Sequence, residues 1–237
     1  MFHLFPHGLD ATLLIPVLLG VLVNAAFTEF FGWDFVGLVV PGYLCSVIML
    51  QPIVAAVVLV EAVVTWSLAR AVDGVATRAG AIYPVFGRDR FFLILVVSVL
   101  VRSIIEGLAM PPALAMLRGP WPSIARHEPD LFGIGLVLVP LLANRLWNPG
   151  LRSGLFQLTV ETAGVRLLLL GLQVFTNFSV AGFELSFDRL ALGFLTAPGA
   201  QIVLICTAAL ASHFNRRFGW DSHGILVPAL LGLVVMA

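Results

Sequence analysis

Charged side chains inside long apolar runs are the residues of this chain whose types could do chemistry. The run from 52 to 71 carries Glu61 near its middle, and the run from 91 to 110 carries Arg102 and Glu106. Arg102 and Glu106 are four positions apart, so a helix places them on one face, where they can form an ion pair. An ionised group at bilayer depth costs about 3 kcal/mol on insertion scales unless it is paired or faces water. These residues therefore predict either structural ion pairs or a functional site.

A third polar group lies in the apolar run from 156 to 174, which carries Glu161 and Arg166. These two residues are five positions apart, which suits a direct pair within one helix poorly, so we expect them to face other helices. The cations available to a path for a negatively charged substrate are Arg102, Arg145, Arg152 and Arg166. Carboxylates beside such cations would set their charge state or carry protons. The candidate carboxylates are Glu29, Glu61, Glu106 and Glu161.

The composition of the chain places these groups in a membrane protein. Of its 237 residues, 60% are hydrophobic and only 11% are charged. A soluble domain is about 45–50% apolar and about 25% charged, so this much apolar surface calls for lipid as its solvent. The net charge is zero, which argues against nucleic acid as a partner. We expect an all-α polytopic protein of the cell (plasma) membrane, with a single membrane domain over residues 1–237.

The apolar runs predict the helices of this domain. Runs long enough to cross a bilayer cover 10–31, 52–71, 91–110, 156–174 and 190–214. Pro198-Gly199 predicts a kink in the last of them. The connector from Arg70 to Arg90 is the most polar and is rich in arginine, which predicts a cytoplasmic location. With the shorter apolar stretches added, charge counting favours about seven membrane segments.

A Gly-aliphatic-Val-Pro element occurs three times along the chain. The stretch from Phe31 to Pro41 returns 187 positions later (218 − 31) as residues 218–228, with seven of eleven positions identical. A weaker copy runs from Phe132 to Pro140, so the repeats lie near 29–50, 130–146 and 216–237. Proline removes a backbone donor and glycine lowers helix propensity, so each copy predicts a short, broken or re-entrant segment buried in protein.

The expected topology turns these copies into an inverted repeat. The first and third copies fall on the inner side and the middle copy on the outer side, an arrangement in which broken helices meet near a midplane site. The residues predicted to line a substrate path are Glu29, Gly37, Pro41, Gly42, Glu61, Arg102, Glu106, Pro140, Asn144, Glu161, Arg166, Asp221 and Pro228. Cys45 and Cys206 lack metal-ligand spacing and are predicted to be buried small hydrophobes. No catalytic residue, cofactor or metal site is predicted.

The first copy carries a family resemblance. The stretch Glu29-(x)7-Gly37-Leu38-Val39-Val40-Pro41-Gly42-Tyr43-Leu44 resembles the signature of the membrane subunit of poly-γ-glutamate capsule synthesis, the CapC/PgsC type. Further similarities follow in order over about residues 10 to 172: Gly87-Arg88-Asp89-Arg90-Phe91, then Arg102 with Glu106, then Gly133-Ile134-Gly135 with Val139-Pro140 and Leu142-Ala143-Asn144. The second element departs from the family pattern by one extra residue before Pro140 and by Leu141 in place of a glycine.

The resemblance implies a polytopic partner of a soluble, Mur-like, ATP-dependent amide ligase. In such systems the ligase activates the γ-carboxylate, and the membrane subunits support synthesis and export. This chain has no Gly-x-x-x-x-Gly-Lys-Ser/Thr, Gly-x-Ser-x-Gly or His-Glu-x-x-His string, so the nucleotide chemistry is expected on another subunit. Other capsule-synthesis membrane subunits are expected as further partners, and a homo-oligomer stays open.

Two other interpretations stay open. The first is a secondary transporter or channel with broken-helix repeats that works without a ligase. The second is a membrane anchor, such as the seven-helix domain found fused to an inactive transglutaminase-like module beside ATP-grasp peptide ligases. The third motif copy ends where the first is followed by a full helix, so we expect this chain to be the N-terminal part of a longer protein.

Overall fold

The computed structural model describes residues 3–4, 13–34, 37–78, 80, 88–105, 128–179 and 198–218. Every regular element within these ranges is an α-helix, which confirms the all-α class for this part of the chain. The seven helices found there are α1 (Leu14–Phe31), α2 (Val40–Leu50), α3 (Pro52–Arg78), α4 (Arg88–Ile104), α5 (Glu128–Arg145), α6 (Gly150–Phe175) and α7 (Pro198–Phe218).

Three of the described helices, α1, α3 and α6, are long and apolar enough to cross a membrane. Their outward faces carry large apolar side chains. On α1, Leu14, Leu18 and Leu22 follow each other at four-residue intervals and are each at least 50% exposed. Such a stripe suits lipid rather than water. The chain is therefore a membrane-associated protein, while the total of seven segments stays a prediction.

Two predicted helix boundaries are wrong. α3 continues to Arg78, so Arg70, Asp73 and Arg78 lie on a helix instead of in a connecting loop. Arg70 lies over the ring of Trp66, one turn earlier, at 5.6 Å from the ring centroid, a contact that favours the helical continuation. α6 begins at Gly150, ahead of the predicted start at 156. The predicted kink at Pro198-Gly199 falls on the first residues of α7, and residues 191–197 lie outside the described ranges.

The middle motif copy is not broken, contrary to the prediction. α5 runs without interruption from Glu128 to Arg145 with Pro140 inside it. Proline removes one backbone donor, but helices of membrane proteins tolerate this where neighbouring groups compensate for the freed carbonyl. The third copy, with Asp221 and Pro228, lies outside the described residues.

The first motif copy folds as a turn followed by a short helix. Gly37 has a φ of 70°, in the left-handed region that glycine adopts most easily, and its carbonyl accepts a hydrogen bond from the Val40 N–H at 2.9 Å. Pro41 lies in the first turn of α2, where its missing N–H removes no helical hydrogen bond. α2 then continues for only 11 residues. Glycine and proline therefore start this helix rather than kink it.

The start of α2 lies beside the middle of α1. A Cβ added to Gly20 would lie 2.4 Å from the Gly42 nitrogen, and a Cβ added to Gly42 would lie 2.2 Å from the Pro16 carbonyl oxygen. Only glycine fits at this crossing, so the two backbones touch, as small residues allow between membrane helices. Gly20 precedes the end of α1 by eleven residues (31 − 20), whereas Gly42 is the third residue of α2. The short helix therefore begins partway along α1, as a half-helix does.

The chain divides into two compact units. Unit 1 comprises Met1–Val57 and Asn144–Ser186, and unit 2 comprises Val58–Ala143 and Phe187–Ala237. In unit 1, α1, α2 and α6 pack against one another around an apolar cluster. The buried members of this cluster are Val23, Cys45, Val165, Leu169 and Phe178. In unit 2, α4 packs on α7, where the Ser103 hydroxyl donates to the Gln201 side-chain oxygen at 3.2 Å.

Candidate functional site

Unit 1 buries an ion pair between the end of α5 and the middle of α6. Arg145, the last residue of α5, donates from Nη2 to both carboxylate oxygens of Glu161. The two side chains are only 2% and 0% exposed. Because both charges have lost their water, each depends on the other for compensation.

A tight turn brings these two helices together. Trp147 donates its N–H to the Asn144 carbonyl at 3.1 Å, and Gly150 opens α6 with a φ of 79°. A Cβ on Gly154 would lie 2.7 Å from Leu146 Cδ2, so the first turns of α6 run directly beside the residue that follows Arg145. The arginine side chain then reaches Glu161, which lies 16 positions later in the sequence.

Polar groups without hydrogen-bond partners accompany this pair. Asn144 Oδ1 and Thr162 Oγ1 are buried, and neither atom has a hydrogen-bond partner within the described part of the chain. Asn144 precedes Arg145, and Thr162 follows Glu161. On α1, Asn24 is 0% exposed, and neither its Oδ1 nor its Nδ2 has a partner there. Buried polar atoms are normally satisfied, so each of these three residues calls for a partner that the described part of the chain does not supply.

The register of α1 on α6 places Asn24 at the level of the ion pair. Trp33 forms an edge contact with Phe156 at 6.5 Å between ring centroids, and a Cβ on Gly164 would lie 3.4 Å from Val23 Cγ1. Between these two contacts the residue number increases along α6 and decreases along α1, so the two helices run in opposite directions. Asn24 follows Val23 and is therefore about one helical turn or less from Glu161 along the helix axes.

Unit 2 buries a second pair, between Glu61 of α3 and Arg102 of α4. Arg102 Nε lies 4.0 Å from Glu61 Oε2, with 1% and 3% of the two side chains exposed. This distance is longer than a hydrogen bond, so the two atoms form a looser ion contact than those of unit 1. Arg102 is predicted to pair with Glu106, which lies outside the described residues; within the described residues, Glu61 is a carboxylate beside it.

The remaining candidate residues fall into buried and exposed groups. Pro41, Gly42 and Pro140 are buried, and Gly37 and Asn144 are half-buried. Glu29 and Arg166 are exposed. Asp221 and Pro228 lie outside the described ranges. No group of three or more metal-ligating side chains occurs within the ranges that the structure describes.

The cysteine prediction is half wrong. Cys45 is buried in the cluster of unit 1, but Cys206 is exposed on α7. Ile202, one turn earlier, is 65% exposed as well, so this face of α7 points away from the protein and an apolar surrounding suits it.

Two polar residues of unit 1, Asn24 and Thr162, escaped the sequence prediction. Asn24 could have been found, because it is an amide in an otherwise apolar run, four residues after a glycine. Thr162 gives no such signal, because threonine is common in membrane helices. The pairing of Arg145 with Glu161 joins two helices, and spacing within one helix could not predict it.

Comparison with known proteins agrees with the resemblance of the motif. The family model for capsule biosynthesis CapC matches residues 19–155. The match contains both Pro41 and Pro140 as well as Arg145, and it ends just before Glu161. Searches of curated proteins and of solved structures give no match. Since the family model covers more than half of the 237 residues, the chain belongs to the capsule biosynthesis CapC family.

Proposed function

We propose that this chain is a non-catalytic integral-membrane subunit of a system that makes and exports poly-γ-glutamate or a related peptide polymer. Its partner would be an ATP-dependent amide ligase. The observation that carries the proposal is the buried Arg145–Glu161 pair in the unit that also holds the signature helix α2. A polyanion in an apolar surrounding needs a fixed cation, and Arg145 is one.

The pair can bind an anion by exchange of partners. Glu161 neutralises Arg145 while no ligand is present, which lowers the free energy of a charge buried away from water. A carboxylate of the polymer can replace Glu161 on the guanidinium, because the planar fork of arginine recognises any carboxylate in the same way. Glu161 would then be free to take up a proton. This cycle passes the polymer over the site without covalent chemistry.

The membrane setting and the sequence supply the other parts of the proposal. The exposed apolar faces of α1, α3 and α6 support a multi-pass location in the cell membrane. The sequence holds no phosphate-binding string, so the ATP-dependent step is assigned to a soluble ligase. Other capsule-synthesis membrane subunits would complete the assembly, and a homo-oligomer is compatible with it.

The two buried glutamates lie at matching positions after two Val-Pro stretches. We infer that α2–α3 and α5–α6 are copies of one element, in which a Val-Pro stretch precedes a long helix of 27 or 26 residues. Glu61 lies 20 positions after Pro41 (61 − 41), and Glu161 lies 21 positions after Pro140 (161 − 140). Both glutamates are buried beside an arginine.

The division into units supports this inference. Unit 1 combines α1 and α2 with α6, and unit 2 combines most of α3 with α4 and most of α5. Unit 1 thus holds the short helix of the first copy, α2, with the long helix of the second, α6. Unit 2 holds most of α5 with most of α3. This is the arrangement expected when two repeats exchange their last helices. Inverted repeats of this kind are common in membrane transport proteins.

A complementation experiment tests the proposed function. The gene for this chain is deleted from a strain that normally makes the polymer. The deletion strain then receives the wild type or the double variant Arg145→Met/Glu161→Met, and extracellular and cell-associated polymer are measured. The double variant removes both charges together, so neither is left buried alone, and we expect normal protein levels with little or no polymer. Arg78→Met, an exposed arginine at the end of α3, is the matched control and should keep the output.

Two results would overturn the proposal in different ways. Normal polymer output from the double variant would reduce the chain to a membrane anchor. Uptake of free glutamate by liposomes that contain the purified chain and no ligase would favour an independent transporter.

A further inference from the structure

Asn24 is a fully buried amide that finds no hydrogen-bond partner within the described part of the chain. A leucine of nearly the same shape would fill this position on α1 without the free-energy cost of an unsatisfied amide. The neighbours of Asn24 on α1 are apolar or small, so nothing local explains the polar side chain. A polar group that is kept at such a cost points to a ligand.

Asn24 lies on the same helix as the contact between α1 and the first turn of α2. Gly42 packs between Pro16 and Gly20 of α1. Asn24 is one turn beyond Gly20 on α1. The helix dipole is positive at this helix start.

Charged groups lie at the same level of unit 1. Asn24 is about one turn or less from Glu161 along the helix axes, as the contact of Val23 with Gly164 requires. Glu161 holds Arg145, and Asp34, which follows α1, is close enough to act on the charge of Arg145. An amide, a helix start and a paired arginine therefore belong to the same unit.

We propose that Asn24 is a ligand-binding residue and that, with the start of α2 and Arg145, it binds an amide-linked chain that bears carboxylates. The side-chain amide of asparagine offers both donors and an acceptor, the complement of a peptide amide. The helix start and the guanidinium suit a carboxylate. This inference rests on the proposed function, because the polymer named there is the ligand of this chemistry.

The test uses Asn24→Leu in the full chain, purified in detergent. The probe is a short γ-linked glutamate oligomer, and the measurements are its dissociation constant and the thermal midpoint of the protein. If Asn24 binds ligand, the variant unfolds at a higher temperature than the wild type and yet binds the oligomer about tenfold more weakly, the change expected for one lost polar contact. A gain in stability combined with a loss of binding is a result that a structural residue does not give.

Two further variants test the role of Asn24 without relying on one substitution. Thr65→Val in unit 2 removes another buried oxygen that has no partner in the described part of the chain, and should leave binding unchanged. Asn24→Asp keeps the shape of asparagine but removes the donors of its NH2 group, so it should weaken binding of the oligomer.

Each alternative outcome overturns something specific. Wild-type affinity in both Asn24→Leu and Asn24→Asp would mean that a buried water or no ligand satisfies the amide, and the inference fails alone. If the wild type does not bind the oligomer and the cells make polymer without the chain, the proposed function fails as well. If the Arg145→Met/Glu161→Met variant loses polymer while Asn24→Leu keeps both polymer output and affinity, the proposed function stands without this site.

Discussion

The buried ion pairs of the two units are equally removed from solvent but differ in how they are held. In unit 1, Arg145 hydrogen-bonds to both oxygens of Glu161, whereas in unit 2 Arg102 Nε stays 4.0 Å from Glu61 Oε2. No side chain of either pair is more than 3% exposed. Equal burial therefore does not imply equal coupling, since the strength of a buried pair depends on its hydrogen-bond geometry.

The residues packed around the two ion pairs also differ. Unit 1 is closed by backbone contact at Gly20 and Gly42, and α6 lies against both helices of that contact. In unit 2, small polar side chains lie one turn from each charge, namely Thr65 on α3 and Ser98 on α4, and both are buried. Buried polar side chains therefore lie beside both pairs, and the first pair belongs to a unit with a close backbone contact. This difference predicts how each unit responds to substitution.

The largest effect is expected from Glu161→Leu. The substitution leaves Arg145 buried without its carboxylate, so we expect a loss of about 3–5 kcal/mol in the free energy of unfolding. Unfolding of the purified protein in detergent, followed by circular dichroism, measures it. The double variant Arg145→Leu/Glu161→Leu is the control and should recover most of the loss. Equal losses in the single and double variants would contradict the view that the pair is interdependent.

The next largest effect is expected at the glycine contact of unit 1. Gly42→Ala adds a methyl group where the Pro16 oxygen lies 2.2 Å away, so α1 and α2 must separate, at a cost of about 1–3 kcal/mol. Gly171→Ala on α6 is the matched control, because a Cβ there meets nothing within 4 Å. The same unfolding measurement should find the control unchanged or slightly more stable. A stable Gly42→Ala protein would show that the contact is not close.

A smaller difference should separate the two pairs in double-mutant cycles. For Arg145 with Glu161 we expect a coupling energy of about 2–3 kcal/mol, and for Glu61 with Arg102 about 1 kcal/mol, since the first pair is joined at hydrogen-bond distance and the second at a longer one. Both cycles use leucine substitutions and the same unfolding measurement. Equal coupling energies would remove the contrast between the units.

The smallest effect is expected from Arg70→Met in unit 2. Arg70 is exposed, and its contact with the Trp66 ring at 5.6 Å is worth about 0.5 kcal/mol. Arg102→Met, on a buried arginine of the same unit, should cost several times more, because it takes the guanidinium away from the buried Glu61. Thermal midpoints of the two variants compare them directly. Similar shifts would mean that charge, rather than burial, decides the outcome in unit 2.

The sequence was a good guide to the helices and to the residues that matter, within limits that have a physical cause. Apolar runs predict α1, α3, α4 and α6, because helix length and hydrophobicity are local properties. The same reasoning ended α3 too early, near Arg70, although charged residues continue a helix as readily as apolar ones do. It also treated Pro140 and Pro41 alike, although proline at a helix start and proline inside a helix act differently.

Some properties of this protein follow from the order of its residues alone. Composition places it in a membrane, repetition marks Gly37 and Pro41 as a structural element, and the cost of a charge in lipid singles out Glu61, Arg102 and Glu161. Only the tertiary structure shows that Arg145 pairs with Glu161 and that Gly42 packs against Gly20 too closely for a side chain. It also shows that the buried amide of Asn24 has no partner in the described part of the chain. These facts depend on contacts between helices, and a helix carries no information in its own periodicity about which neighbour it will meet.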